Sequence, residues 1–308
     1  MKHHASFESY RKIHGLEKLT PHTVEEIQSG HFDINKAQRF IAFQTRINSE
    51  LLNHKVITHN PYTRWFSKST PNDAQIKQLI VQFSVFSNQF LVAQLEKMIN
   101  AESIEEMRAS KEILANEIGV VYKKNPQQTH SEGDQPALTK DERDFGDIEG
   151  SIEGGNFHFK AAHFELLNRM ASHLGITFEQ LGRRQFGTQK TLFFCDELIR
   201  LYGAADYATS TAASYAVENW AAAGFWDELV EGLSRYKTSR KLDALPLTFF
   251  TWHAKLEANH ANHTQEELES YYFNNTVDED LFITRGNEML DGVFAFWQGL
   301  DEDRKRIH

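Results

Sequence analysis

The sequence predicts an all-α fold, and three observations carry that prediction. Apolar residues recur at steps of three and four through most of the chain. No stretch alternates convincingly with a period of two, and only 6 prolines interrupt 308 residues. In order, the periodicity predicts helices over residues 36–52, 73–98, 102–121, 159–174, 178–182, 189–202, 207–235, 246–263, 265–273 and 278–299. The first two (KAQRFIAFQTRINSELL and DAQIKQLIVQFSVFSNQFLVAQLEKM) are the most regular. Thr70-Pro71 precedes the second as an N-cap residue followed by a proline at the first helical position. Thr177 with Gln180, and Thr264 with Glu267, have the spacing of capping boxes.

Two stretches stand apart. Residues 1–33 have weak periodicity and are expected to wrap the outside of the bundle. Residues 123–156 (KKNPQQTHSEGDQPALTKDERDFGDIEGSIEGGN) hold two of the prolines, five glycines and few large apolar side chains, which predicts a long loop or lid inserted between helices. The expected organisation is an N-terminal extension (1–35), one helical domain (36–300) with the inserted loop, and a polar tail (301–308).

Composition narrows the function classes. A formal net charge of −10 argues against nucleic-acid or anionic-membrane binding, because neither polyanion is attracted to such a surface. The single cysteine, Cys195, rules out an intramolecular disulfide and any cysteine-built metal cluster. No 18-residue apolar run occurs and the N-terminus has no signal-peptide pattern, so the chain reads as cytoplasmic. Gly182 and Gly187 have phosphate-loop spacing, but Thr188-Gln189 stands where Lys-Ser/Thr is required and no strand precedes it. Histidine is abundant, at 15 residues.

The strongest chemical signal is FFTWHAKLEANHANH. His253, Glu257 and His260 lie at i, i+4 and i+7; at ~100° per residue they occupy a stripe roughly 60° wide on one helix face. Two imidazoles and a carboxylate so placed can bind one or two divalent transition metals, whereas His263 points elsewhere. The competing reading is a solvated polar face, against which stands the apolar run Leu247–Trp252 just before it. A bundle metal site needs ligands from other helices. Glu218 lies in a helix so rich in Ala, Trp and Phe that a lone carboxylate there is costly to bury. Glu117 ends a helix amid Ile118, Val120 and Val121, and His163 opens the helix after the insert. Together these supply three carboxylates and three imidazoles, the donor set of di-iron and di-manganese carboxylate sites. Trp220, Phe249, Phe250 and Trp252, with Phe225, are candidates for an apolar substrate pocket.

The order Glu117, His163, Glu218, then His253-x3-Glu257-x2-His260 resembles the haem-oxygenase-like di-iron oxidases, helical bundles that bind no haem and activate O₂ at two irons. The resemblance spans roughly residues 36–300. It rests on ANEIG at a helix end, AAHFELL, FFTWHAKLEANH, the 35-residue gap from Glu218 to His253, and the closing FWQGL. It implies a haem-oxygenase-like bundle of about seven core helices and two irons per chain held by Glu117, His163, Glu218, His253, Glu257 and His260. Manganese is the alternative metal. It further implies O₂ as co-substrate, a small organic substrate and no residue acting in catalysis beyond the ligands. Members perform amine N-oxygenation, oxidative C–C or C–N cleavage of amino acids, or fatty-acid decarboxylation; a homodimer is allowed. Three departures matter. Glu257 stands where the family usually has Asp, Glu153 in the long insert rivals Glu117, and Lys160 occupies a position that is a carboxylate in some members. The rivals are a metal-free enzyme resembling thiaminase II or pyrroloquinoline-quinone synthase, and a non-catalytic metal-binding or storage bundle.

Overall fold

The computed structural model describes residues 2–124, 148–152, 155–159, 161–257 and 260–307. The side chains of 2–6, 105, 109, 112, 116, 121–124, 148–152, 155–159, 256–257 and 260–264 lie outside that description. Fourteen α-helices are present among the described residues. In chain order they begin with α1 (Lys2–Ile13), α2 (Pro21–Ser29), α3 (Ile34–Arg46), α4 (Lys55–Thr58), α5 (Pro61–Lys68), α6 (Asp73–Ile99) and α7 (Ile104–Glu117). After an insert come α8 (His163–His173), α9 (Gln189–Glu197), α10 (Tyr207–Ala221), α11 (Phe225–Arg240), α12 (Thr248–Glu257), α13 (His260–Asn274) and α14 (Glu279–Arg306). Two helices, α3 and α9, run on through five-residue π-helical turns, Ile47–Leu51 and Leu198–Tyr202.

The long helices α6 and α14 organise the packing. α14 lies against α9, α10 and α5, while α6 lies against α7, α8 and α9. Phe83 of α6 is the hub of the aromatic core, with ring neighbours Phe86, Trp226, Phe249, Phe250, Phe296 and Trp297. Each of these large rings brings a sizeable apolar gain on burial.

The fold is all-α, as the periodicity predicts, with local differences that have physical causes. Residues 120–124, 148–152 and 155–159 form a three-stranded antiparallel sheet, β1-β3-β2, so the insert is not wholly loop. Hairpin pairing of backbone groups, which no side-chain pattern announces, makes these strands. The α6 cap is Asn72 rather than Thr70: its side chain accepts from Gln75 N while Gln75 Oε1 accepts from Asn72 N, both at 2.9 Å. Thr264 is one turn inside α13, which begins at His260, so it does not stand at a helix start. The expected helix 207–235 is two helices, because Gly224 takes a left-handed φ of 87° between α10 and α11. The N-terminal residues do more than wrap. They form α1 and α2, insert Leu16, Leu19, Val24 and Ile27 into the core, and are tied to α13 where Thr20 Oγ1 donates to the buried Glu269 carboxylate at 2.6 Å. Helices α4 and α5 were not anticipated, and α14 continues to Arg306 through most of the expected tail. No described helix is long and apolar enough to cross a membrane.

Candidate metal centre and its cavity

Three of the expected ligands converge. Glu117 is the last residue of α7, which Gly119 terminates at a φ of 74°. His163 is the first residue of α8, and His253 lies near the middle of α12, which packs against α8. One ligand atom from each of Glu117, His163 and His253 lies within 4.8 Å of the other two. His163 Nδ1 is 2.7 Å from Glu117 Oε2, and the two imidazole centroids are 4.7 Å apart. Both histidines are buried.

Each donor is held by its surroundings. His253 Nδ1 lies 2.6 Å from the Phe249 carbonyl one helical turn back. That bond requires Nδ1 to carry the proton and puts the ring's lone pair on Nε2, the atom a ligating histidine with this backbone contact offers to a metal. Trp226 stacks on the same ring at 4.5 Å with 16° between planes, and Trp252 meets the edge of His163 at 4.4 Å. Burial pushes the Glu117 carboxyl up, but electrostatic attraction from the His163 and His253 imidazoles and the His163 hydrogen bond outweigh it. The net position is below the ordinary glutamate value. At the C-terminus of α7 the helix dipole does not stabilise that anion; the imidazoles do.

The triad lines a cavity whose empty space, open solvent at its mouth included, is about 900 Å³. Phe83, Phe86 and Phe90 of α6 form one wall, Phe194 and Leu198 another, and Trp220, Trp226 and Phe249 a third. Glu218 of α10 lines the same space as the triad. Behind it, Lys97 donates to Ser214 Oγ at 2.5 Å and sits over the Tyr202 ring at 4.8 Å. Burial pulls the Lys97 ammonium below the usual lysine range, against the opposing carboxylates of Glu267, Glu218 and Glu106.

Of the six expected ligands, Glu117, His163 and His253 meet and Glu218 shares their cavity. The backbones of Glu257 and His260 belong to α12 and α13, with side chains outside the described residues; Glu153 and Lys160 lie outside them altogether. Of the expected pocket residues, Trp220 and Phe249 line the cavity. Phe250 does not: fully buried, it packs on Phe83 and Phe249 in the core, on another face of α12. Trp252 is also absent from the lining and instead buttresses His163, and Phe225 stacks behind Trp220 at 4.6 Å. Among the residues missed are the α6 phenylalanines, Phe194, Leu198 and Trp226. Phe83, Phe86 and Phe90 stand at steps of three and four within the second predicted helix, a visible signal that did not say which side it faced.

A divalent cation suits this donor set. A carboxylate and two imidazoles, one with its tautomer fixed, match nitrogen- and oxygen-bound transition metals, and the low-polarity wall leaves them few other partners.

Protein-family models give no match to the chain, and neither do curated proteins. Solved structures do. A CADD-like protein of unknown function from Nostoc punctiforme is similar with a TM-score of 0.55 and 15% identity, covering 88% of this chain and 98% of that one. A second structure of it gives 0.52 and 14%, covering 88% and 96%. A TenA homolog from Pseudomonas syringae pv. tomato gives 0.54 and 10%, covering 87% and 93%. At these identities the likeness speaks to architecture: the chain has the all-α, haem-oxygenase-like helical fold.

Proposed function

We propose that this chain is a non-haem di-iron enzyme that uses O₂ to oxidise a small, largely apolar organic molecule. The observation carrying the reading is the convergence of Glu117, His163 and His253 on the wall of an aromatic cavity. The triad suits one ion; Glu218, with Glu257 and His260 from the following turns, would complete a second position. Iron bound there supplies O₂ activation and the electrons for it, and manganese is the alternative metal. The chain's own residues do the rest. The Phe249 carbonyl orients His253, the Glu117 carboxylate orients His163, and the aromatic walls exclude water and hold the apolar part of the substrate. Amine N-oxygenation and oxidative cleavage of an amino acid or fatty acid are the reactions that fit.

Protein reconstituted anaerobically with Fe(II) should hold two irons and give an O₂-dependent absorbance change in stopped flow. Iron-loaded protein that shows no such change with any amine, amino acid or fatty acid refutes the oxidase reading. The fold shared with a TenA homolog favours one second reading, a metal-free thiaminase II-like enzyme. Thiamin hydrolysis by chelator-treated protein would establish it.

A further inference from the structure

We infer that the chain has a second ligand site, for a small oxyanion that retains a proton, of the hydrogenphosphate or hydrogencarbonate class. It is a polar pocket between α4, the start of α5, the end of α10 and the start of α11, and its wall includes Asn60, Thr63, Arg64, Trp220, Gly224 and Glu228. This site is separate from the metal centre and does not depend on what that centre binds.

Three side chains of this wall carry buried polar atoms without a hydrogen-bond partner among the described residues: Asn60 Nδ2, Thr63 Oγ1 and Trp220 Nε1. The three residues are 6%, 0% and 3% exposed. Buried polar groups left unpaired are costly, and three on one pocket call for a ligand that pairs them. The chemistry of that ligand follows from the donors. An indole N–H and an amide NH₂ can only donate, and the Asn60 Oδ1 is already committed to capping α5 through Tyr62 N and Thr63 N at 3.1 and 3.4 Å. The ligand must therefore offer several acceptor oxygens.

Two further features point to negative charge. Helix α11, 16 residues long, starts here at Gly224 with no side-chain cap, so its first N–H groups and its dipole face the pocket. Arg64 adds a guanidinium, fixed by Thr58 O at 3.0 Å and His59 Nδ1 at 2.6 Å. Against these stands Glu228 in the wall, with Asp227 beside it in the first turn of α11. A fully ionised oxyanion meets repulsion there, whereas one bearing an O–H can donate that hydrogen to the Glu228 carboxylate. The pocket so selects hydrogenphosphate or hydrogencarbonate over sulfate. Gly224 is exposed, which leaves an entrance from solvent. Trp220 lines this pocket and the metal-site cavity alike, two residues beyond Glu218, so its indole reports occupancy of the pocket.

The test titrates the full-length protein with potassium phosphate, bicarbonate and sulfate at constant ionic strength made up with chloride, following thermal unfolding and tryptophan fluorescence. Saturable stabilisation by phosphate or bicarbonate, at least about tenfold stronger than by sulfate, is expected. Asn60→Asp keeps the helix cap but replaces the donor with an anion and should abolish it. Thr63→Val, of the same shape, should weaken it severalfold, and Glu228→Gln should let sulfate bind as well as phosphate. His253→Ala should bind phosphate like wild type, which separates this site from anion binding at a metal. Three results overturn the inference: no saturable effect beyond chloride, leaving a pocket of ordered water only; equal binding of sulfate by wild type; or binding that survives Asn60→Asp and Thr63→Val.

Discussion

Glu117→Gln separates a metal-binding carboxylate from one that merely braces the bundle. In the folded chain Glu117 Oε2 is 2.7 Å from His163 Nδ1, with side-chain exposures of 16% and 6%. A charge-assisted hydrogen bond in such surroundings contributes about 1.5–3 kcal/mol, against about 1 for the neutral bond that glutamine can keep. Metal-free Glu117→Gln protein should then be about 0.5–2 kcal/mol less stable, a drop of roughly 1–3 °C in Tm for a chain of this size. The difference depends on pH. Because the folded Glu117 carboxyl sits below its ordinary value of 4.5, the wild-type advantage is present above that value and is lost as pH falls through the folded pKa. Metal adds a second signature. An ion at 100 times its Kd stabilises the folded state by about 2.7 kcal/mol, and a ten- to hundredfold loss of affinity removes about 1.3–2.3 kcal/mol of that. Calorimetry of chelator-treated protein, repeated with saturating Mn(II), reads both effects. If the variant keeps the full metal-induced rise in Tm, Glu117 does not hold the ion. If its metal-free Tm equals that of wild type, the pair with His163 contributes nothing.

Four other outcomes are expected. Glu218→Ala should suppress the O₂-dependent absorbance change of iron-loaded protein even where iron remains, and His260→Ala should lower elemental iron by about one per chain, as two-metal carboxylate sites predict. Gly232→Ala should destabilise: the added Cβ would lie 2.5 Å from the Phe66 carbonyl oxygen and closer still to its ring, and backbone cannot give way there. Overpacking of about 1–3 kcal/mol exceeds the roughly 1 kcal/mol gained in helix propensity, so a Tm at or above wild type would contradict the α5–α11 packing. For Glu288, burial raises the carboxyl but hydrogen bonds from Arg200 and Arg285 bring it below its ordinary value. Its stabilisation is therefore present at neutral pH and disappears as pH falls below the ordinary glutamate value, so Glu288→Gln should flatten acid unfolding in that window.

The site was partly legible in the sequence because two of its signals are local. His253 is singled out by its spacing to Glu257 and His260, which stand at the end of α12 and the start of α13 with side chains outside the described residues, and the isolation of Glu218 among Ala, Trp and Phe is visible in one segment. The position of Glu117 beside His163, 46 residues away, was not local, since it depends on how α7 and α8 bracket the insert; Glu153 lies outside the described residues. The same holds for the pocket. Phe249 and Phe250 are adjacent in sequence and equally apolar, yet one lines the cavity and the other fills the core, a difference set by the rotation of α12 against α8 and α11. The sheet in the insert was missed because its pairing runs through backbone groups, and Gly224 was missed because a single glycine does not announce a left-handed break.

What the sequence determines by itself is the helical class, most of the helix positions and the residue types available for metal binding, because spacing and side-chain chemistry act over a few residues. Tertiary structure decides which of those residues meet. Glu117, His163 and His253 come from three helices, and only the packing of α12 on α8, with α7 ending beside them, brings their donor atoms within 4.8 Å. The unpaired polar atoms of Asn60, Thr63 and Trp220 are likewise invisible in the sequence, since an atom lacks a partner only once the rest of the chain has closed around it.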